Sequence, residues 1–411
     1  MYSSPSGMQS GADTQEWVTS LARQATFARG YSPLYAAILD CLGATLGGQG
    51  SAAVSGEQSR LRRRFATFVS ARAWDNDLEP ILKLAATLHS HVLREDPRVV
   101  GLARYYATVT VDPASPEEPE FATDLLRALD VLGDELLSEA DRWVIQTNET
   151  ARGVLWLLPA ALLQIDAAYL VELGASAGLN LLADLRRYDL RWNDGAPLRL
   201  GQAESWQFEL DCDGPRPALP SIVKPPEILA RVGADARIVD LDAPGAETEL
   251  AACIWGDQPR RMQRLQEALV LRRELHASGQ DARLLRTRLP DETEDFLRAV
   301  VPIHPVAPVI LFDTYVTAYF NDVDHRALVR AVEAFARPRT LRHKLSWLWV
   351  RFEPPRAGEP EAPQIGWCRW WVEVWTQGQR HTLELGWAHP HCVKLVFGPG
   401  LSELTRLRGP E

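Results

Sequence analysis

The stretch Val171-Glu172-Leu173-Gly174-Ala175-Ser176-Ala177-Gly178-Leu179-Asn180 decides how the rest of the chain is read. Residues 167–171 ahead of it are short, apolar and partly β-branched, the pattern of a buried strand. Glu172 closes that run. Gly174 and Gly178 bracket a tight turn, and 179–187 has helical spacing with Leu181, Leu182 and Leu185 on one side. A strand, an acid, a glycine turn and a helix start make a nucleotide-type binding loop. Glycines let a ligand approach the backbone, and a helix start offers unpaired N–H groups. The same pattern also serves as an ordinary strand–turn–helix of an α/β domain. It is not the dinucleotide fingerprint, because Ser176 stands where a glycine is expected. Ser176 either donates a hydrogen bond to a ligand or narrows the pocket.

Downstream, residues 236–241, 282–289, 308–312 and 345–352 read as strands, alternating with helical patterns at 258–275, 292–300 and 324–336. That alternation implies a parallel α/β sheet. Residues 368–376 and 381–387 read as a hairpin around 377–379, extended by 392–397. Residues 191–226 carry turn residues (Asn193-Asp194-Gly195, Asp213-Gly214) and many prolines, so they read as a hairpin-like insertion. Upstream, about the first 140 residues have little strand signal. Their helices include one opened by Ser32 as N-cap with Pro33 in its first turn. The expected organisation is a Ser/Gly-rich tail over 1–15, an all-α domain over 16–141, and a Rossmann-like domain over 142–411. The fold class is α/β, with a mostly parallel sheet ending in a C-terminal antiparallel hairpin.

The totals bound the function. The chain has 411 residues, 46% hydrophobic and 24% charged, enough for two domains with sizeable cores. A net charge of −10 argues against a large nucleic-acid footprint. No signal peptide is visible, and the longest apolar stretch, 154–165, is too short to span a bilayer. The five cysteines lack C-x-x-C spacing, which fits a reduced cytoplasmic compartment. Arg and Ala outweigh Lys, as in a bacterial genome of high GC content.

Ligands of doubly wound sheets bind at the carboxyl ends of the strands. The residues expected there are Glu172, Asp240 with Asp242, Asp291 and Asp313. Each acid either meets a ligand or caps the helix that follows it. The polar block Gln146-Thr147-Asn148-Glu149-Thr150 either caps the helix over 151–163 or lines the pocket beside the glycine loop. Asp313, Tyr315, His389 and His391 are candidate bases. His389 and His391 lack a third ligand at typical spacing, so no metal is expected. His89 and His91 are expected to be structural. The basic run Arg60, Arg62, Arg63, Arg64 is a solvated helix face or a contact for phosphate or an acidic partner. Seven of the fourteen tryptophans fall between Trp347 and Trp387, as packing or as a stacking wall. Neither a serine nucleophile elbow nor a Walker loop is present.

An acid before a Gly-rich turn, further acid-tipped strands and a terminal hairpin resemble the class I S-adenosylmethionine-dependent methyltransferases. The resemblance implies that Glu172, Gly174, Ser176 and Gly178, with Asn180 at the loop's end, hold the methionine half of S-adenosylmethionine. It implies Asp240, beside Asp242, on the ribose and Asp291 near the adenine. Asp313-Thr314-Tyr315 would face a small-molecule substrate, and Gln146, Asn148 and Glu149 would line the pocket. The expected function is therefore methyl transfer to a small molecule. The alternatives are a non-catalytic binding protein of the same fold, or an enzyme of another class using Asp313, Tyr315 and the histidine pair. Gln146-Thr147-Asn148-Glu149, the glycine loop, Trp255-Gly256-Asp257-Gln258 and Ala388-His389-Pro390-His391 also resemble a prokaryotic family of unknown function (family 2332) over nearly the whole chain. That second resemblance implies no established activity.

Overall fold

A computed structural model describes residues 14–48, 56–71, 74, 79–145, 149–201, 207–342, 346–364 and 366–407. The chain divides into two units, Met1–Thr147 with Leu241–Gln263, and Asn148–Asp240 with Arg264–Glu411.

The second unit is built on one sheet of twelve strands. In chain order these are β1 (Ala167–Leu173), β2 (Arg187–Arg191), β3 (Leu198–Leu200), β4 (Gln207–Asp213), β5 (Ile222–Val223) and β6 (Glu227–Asp235). Then come β7 (Arg283–Arg286), β8 (Val309–Thr314), β9 (Trp347–Glu353), β10 (Cys368–Thr376), β11 (Gln379–Ala388) and β12 (Lys394–Phe397). The spatial order is β5-β3-β2-β4-β12-β11-β10-β9-β8-β1-β6-β7. Strands β7, β6, β1, β8 and β9 are parallel neighbours, while β10 runs antiparallel to both β9 and β11. Chain order reverses between β1 and β8, which makes the space beyond their carboxyl ends the switch point of a doubly wound sheet.

Each sheet face buries its own core, as a sheet wound on both faces requires. One holds Leu170, Phe312, Val350, Phe352 and Trp370 under the helix Val154–Leu162. The other holds Leu173, Leu311, Trp349 and Trp375 with residues of the helices Thr293–Val300 and Asp322–Arg342. The terminal hairpin turns at Gln377 and Gly378, with φ of 52° and 77°. A two-residue hairpin demands that left-handed pair, and glycine supplies it without strain.

Three sequence expectations are corrected. The strand expected at 236–241 lies earlier, as β6, and ends at Asp235 rather than Asp240. Residues 236–241 are instead an irregular segment, because β6 already spans the register beside β1. The helix expected over 179–187 is a 3₁₀ turn, Leu179–Leu185, followed at once by β2. The expected insertion supplies β3, β4 and β5, and β12 pairs with β4, so it prolongs the sheet.

The first unit is helical. Its core includes Trp17, Leu21, Leu39, Leu42, Leu88 and Leu125. Ser32 caps the helix Pro33–Gly47 by accepting from the Tyr35 amide at 3.2 Å. Residues 241–263, read from the sequence as part of the second domain, complete this unit. Asp257 accepts from Ser32 Oγ at 2.6 Å and from the Leu34 amide at 3.0 Å. Trp255 stacks on Tyr35 with ring centroids 4.5 Å apart. A Cβ on Gly256 would lie 2.1 Å from the Tyr106 ring, so only glycine fits. The Trp255-Gly256-Asp257-Gln258 motif is thus a clasp across the helices.

His89 and His91 are structural. His89 Nδ1 lies 2.8 Å from Ile254 O, and Nε2 lies 2.8 Å from Thr108 Oγ1. His91 sits between Asp96 at 2.8 Å and Glu139 at 3.2 Å. The basic run divides. Arg60 pairs with Asp130 at 2.8 Å and Arg64 with Asp134 at 3.0 Å. Arg62 and Arg63 line a cleft of about 890 Å³ with Asp40, Cys41 and Phe121.

Burial holds His89 down to about 4, against the pull of its bonds to Ile254 and Ala252. The unfolded chain therefore takes up a proton near pH 6.5 that the folded chain refuses. Stability of the helical unit is expected to fall between pH 6.5 and 4, by at most about 3 kcal/mol from this group. Imidazole proton NMR checks this: the His89 ring signal should stay unprotonated above pH 5.

Candidate functional site

The glycine loop leaves β1 and is fixed to the end of β6. The Gly174 and Ala175 amides both donate to Ala234 O, at 2.8 and 3.0 Å. The Ser176 amide donates to Asp235 Oδ2 at 2.8 Å, and Oδ1 of the same carboxylate accepts from the Arg237 amide at 2.8 Å. Gly174, Ser176 and Gly178 have φ of 77°, 50° and 71°. Ser176 thus occupies a left-handed position that costs an L-residue about 1 kcal/mol, and the Asp235 bond holds it there. A Cβ at Gly174 would lie 2.4 Å from Val316 Cβ, and one at Gly178 would lie 3.0 Å from Leu284 Cδ2. The glycines are required by the protein's own packing as well as by the turn.

Glu172 is 1% exposed, and its Oε2 makes no hydrogen bond. Burial first, and then the charge of Asp235, raise its pKa well above the carboxylate range, against the pull of Asn180 and Arg152. Asn180 is also buried, and its Oδ1 has no partner. The strand ends bring Glu172 together with Asp235, which was not among the expected acids. Asp240 follows β6 in irregular chain, and Asp242 falls in the segment belonging to the first unit. Asp291 is exposed on a turn. The sequence reading missed Asp235 because its β6 register was shifted.

Asp313 does not share a side with Glu172. The β1–β8 register sets Glu172 beside Phe312 and Leu173 beside Asp313. Successive side chains alternate faces, so the two acids point to opposite faces of the sheet. Asp313 is fully buried and accepts from Trp349 Nε1 at 2.8 Å. Its neighbours are Arg351, Glu353 and Glu373. Arg351 is 1% exposed, reaches Glu353 at 3.0 Å and Glu373 at 3.6 Å, and lies over the Trp349 and Trp371 rings at 4.5 and 4.3 Å. Burial pushes Asp313 up to about 7 despite Arg351. Burial acts the same way on Glu353, but Arg351 and His325 outweigh it and bring that group to about 2.

The other expected residues gather around Arg152, which the sequence reading passed over. Arg152 is 5% exposed. Its Nη1 donates to Thr314 O at 3.1 Å and its Nε to Pro390 O at 2.9 Å. Its guanidinium lies over the Tyr315 ring at 5.0 Å. It therefore joins the end of β8 to the His389-Pro390-His391 turn. His391 Nδ1 stands 3.3 Å from Glu149 Oε2, and the His391 amide donates to His389 Nδ1 at 3.1 Å. Glu149 also caps the following 3₁₀ turn by accepting from the Ala151 amide at 3.3 Å. The cap is thus Glu149, one residue of the polar block read as a cap or a pocket wall. Gln146 and Asn148 lie outside the described residues. A signal for Arg152 existed: a lone charge opening the most apolar stretch of the chain, where a guanidinium must be paired. Chemically, an imidazole at ion-pair distance from a carboxylate is a proton acceptor of ordinary design.

Among the described residues, no three His, Cys, Asp or Glu side chains form a group that could hold a metal ion. No described helix is long and apolar enough to cross a membrane.

Residues 18–396 match the profile of a family described as "Uncharacterized protein conserved in bacteria (DUF2332)", and the chain belongs to that family. No curated protein and no solved structure matches the chain.

Asp313→Asn tests the second polar centre. The folded chain holds the Asp313 proton to about pH 7, the unfolded chain only to about 3.8. Ionising Asp313 therefore burdens the folded state increasingly from pH 4 to 7. The amide keeps an acceptor for Trp349 without the charge. Urea unfolding followed by tryptophan fluorescence should show the variant equal to wild type at pH 4. Above pH 7 it should be more stable, by at most about 4 kcal/mol.

Proposed function

We propose that this protein binds S-adenosylmethionine at the β1–β8 switch point and transfers its methyl group to a small molecule. One observation carries the reading: buried Glu172, with an unpartnered Oε2, sits beside Asp235 at the carboxyl ends of neighbouring strands. Two adjacent carboxyl groups resist full ionisation, and a cation between them removes the penalty. The ammonium or sulfonium of S-adenosylmethionine is such a cation. Glu172 and Asn180 would hold the charged half, and Asp235 would keep the loop in shape from the adjoining strand.

When bound, the cofactor supplies an electrophilic methyl carbon, whose bond to sulfur breaks with the electron pair leaving on sulfur. The chain's own share is orientation and proton removal. His391, 3.3 Å from Glu149, takes the proton from an acceptor hydroxyl or protonated amine. Glu149 stabilises the imidazolium that forms. Arg152 keeps the histidine turn next to Tyr315 through its bonds to Pro390 O and Thr314 O. Asp313, on the other face, has no part in this proton transfer.

A second reading, a binding protein of this fold without catalysis, is favoured by the contact of Val316 against Gly174. That contact places a side chain where a ligand would approach the loop.

Calorimetric titration with S-adenosylmethionine tests both. A saturable heat is expected, and Glu172→Gln should weaken binding about ten- to hundredfold. Because the ligand's charge ionises Glu172, binding should release a proton. Affinity should then rise with pH and level off above the raised pKa of Glu172, and the variant should show no such rise. Absence of heat in the wild type sinks the proposal. Saturable binding without turnover of any acceptor supports the second reading.

A further inference from the structure

A further polar centre on the same unit is built on buried arginine. Arg186, between the 3₁₀ turn and β2, is completely buried. Its Nη2 donates to Arg264 O at 2.9 Å. Its Nε and Nη1 are buried and make no hydrogen bond. The same holds for Arg264 Nη1 and for the hydroxyl of Tyr188. These groups surround one ring. The guanidinium carbons of Arg186 and Arg264 lie over Phe208 at 4.2 and 5.0 Å, and Tyr188 stacks on it at 4.9 Å. Thr150 Oγ1 also donates to Arg264 O, at 3.4 Å, so this cluster adjoins the segment that carries Glu149.

Charge does not balance within this group. Glu267 Oε2 stands 3.7 Å from Arg186 Nη2, an ion-pair distance but not a hydrogen bond. Glu149 contributes attraction from further off, but it faces His391. Arginine keeps its proton at neutral pH, so Arg186 and Arg264 stay two adjacent fixed cations. Burial lowers Arg186 to about 10, and the charge of Arg264 adds to the lowering. Arg152 in the same unit shows the contrasting solution, with two of its donors on carbonyl oxygens. The unused Arg186 Nε and Nη1 and Arg264 Nη1 can each give a charge-assisted hydrogen bond to an oxyanion oxygen.

We infer that Arg186 and Arg264, with the Tyr188 hydroxyl, form a receptor for an oxyanion, the carboxylate or phosphoryl group of a small molecule held over Phe208. The receptor stands independently of the cofactor reading. That its ligand is the anionic end of the methyl acceptor, with the reacting group near His391, rests on that reading.

The test compares melting of the full chain in inorganic phosphate, in acetate and in chloride at equal ionic strength. Wild type should melt roughly 3 °C higher at a tenfold excess of the bound oxyanion over its dissociation constant. The larger of the phosphate and acetate responses distinguishes a phosphoryl from a carboxylate ligand. Arg186→Met should melt no lower than wild type in chloride, since it removes an incompletely paired buried charge, and should lose the oxyanion response. Arg264→Gln keeps Arg186 in place and should weaken the response about tenfold, which covers the case of a misfolded Met variant. Equal melting of wild type in all three salts overturns the inference, and so does an undiminished response in Arg264→Gln. S-adenosylmethionine calorimetry on the wild type separates the two proposals. Normal cofactor heat without an oxyanion response removes the receptor alone, and the converse removes the cofactor reading alone.

Discussion

A guanidinium keeps its charge inside a protein, so each arginine buried against the sheet dictates its surroundings. Arg152 on one face spends its donors on Thr314 O and Pro390 O. Those two carbonyls belong to β8 and to the turn after β11, which the sheet holds three strands apart. Satisfying one side chain thus draws the histidine turn back to the switch point. Arg351 on the other face is met by Glu353 and Glu373 and enclosed by two tryptophan rings. The polar chemistry of the second unit follows from these two placements, because acids, imidazoles and tyrosine collect where a buried cation must be answered.

The two faces also separate tasks that a sequence runs together. Glu172 and Asp313 both end apolar strands and look like partners. Adjacent parallel strands in register carry them to opposite sides. The Asp313–Arg351 group answers its buried cation with two ion pairs and its acid with an indole donor, although Asp313 Oδ1 and Glu373 Oε2 make no hydrogen bond. The Glu172 side, at the switch point, also retains acceptors without donors.

Much of this was legible beforehand where the signal is local. The Ser32 cap, the hairpin at Gln377-Gly378, strands β9 to β11 and the glycine turn after β1 each follow from neighbours a few residues away. The errors came where tertiary contacts decide. Strand β6 is exposed over much of its first half and shows little alternation, so the stretch 236–241 drew the strand assignment away from it. The run 179–187 has helical spacing, yet β2 pairs with both β3 and β4 and claims its last residues. Arg186 carried no local signal of burial, and Arg152 only that of a lone charge opening an apolar stretch. The partners that answer them are up to 238 positions away.

The clasp formed by Leu241–Gln263 has a consequence for how the chain is made. The helical unit is not one continuous gene fragment: its last piece emerges after β1 to β6 have been synthesised. Until then the Pro33–Gly47 helix lacks the Asp257 carboxylate at its start, and Tyr35 lacks its indole partner. The first unit to leave the ribosome is therefore completed only after six strands of the second have been made. No single cut in the chain releases either unit whole, and removing one by truncation strands a hydrophobic piece of the other.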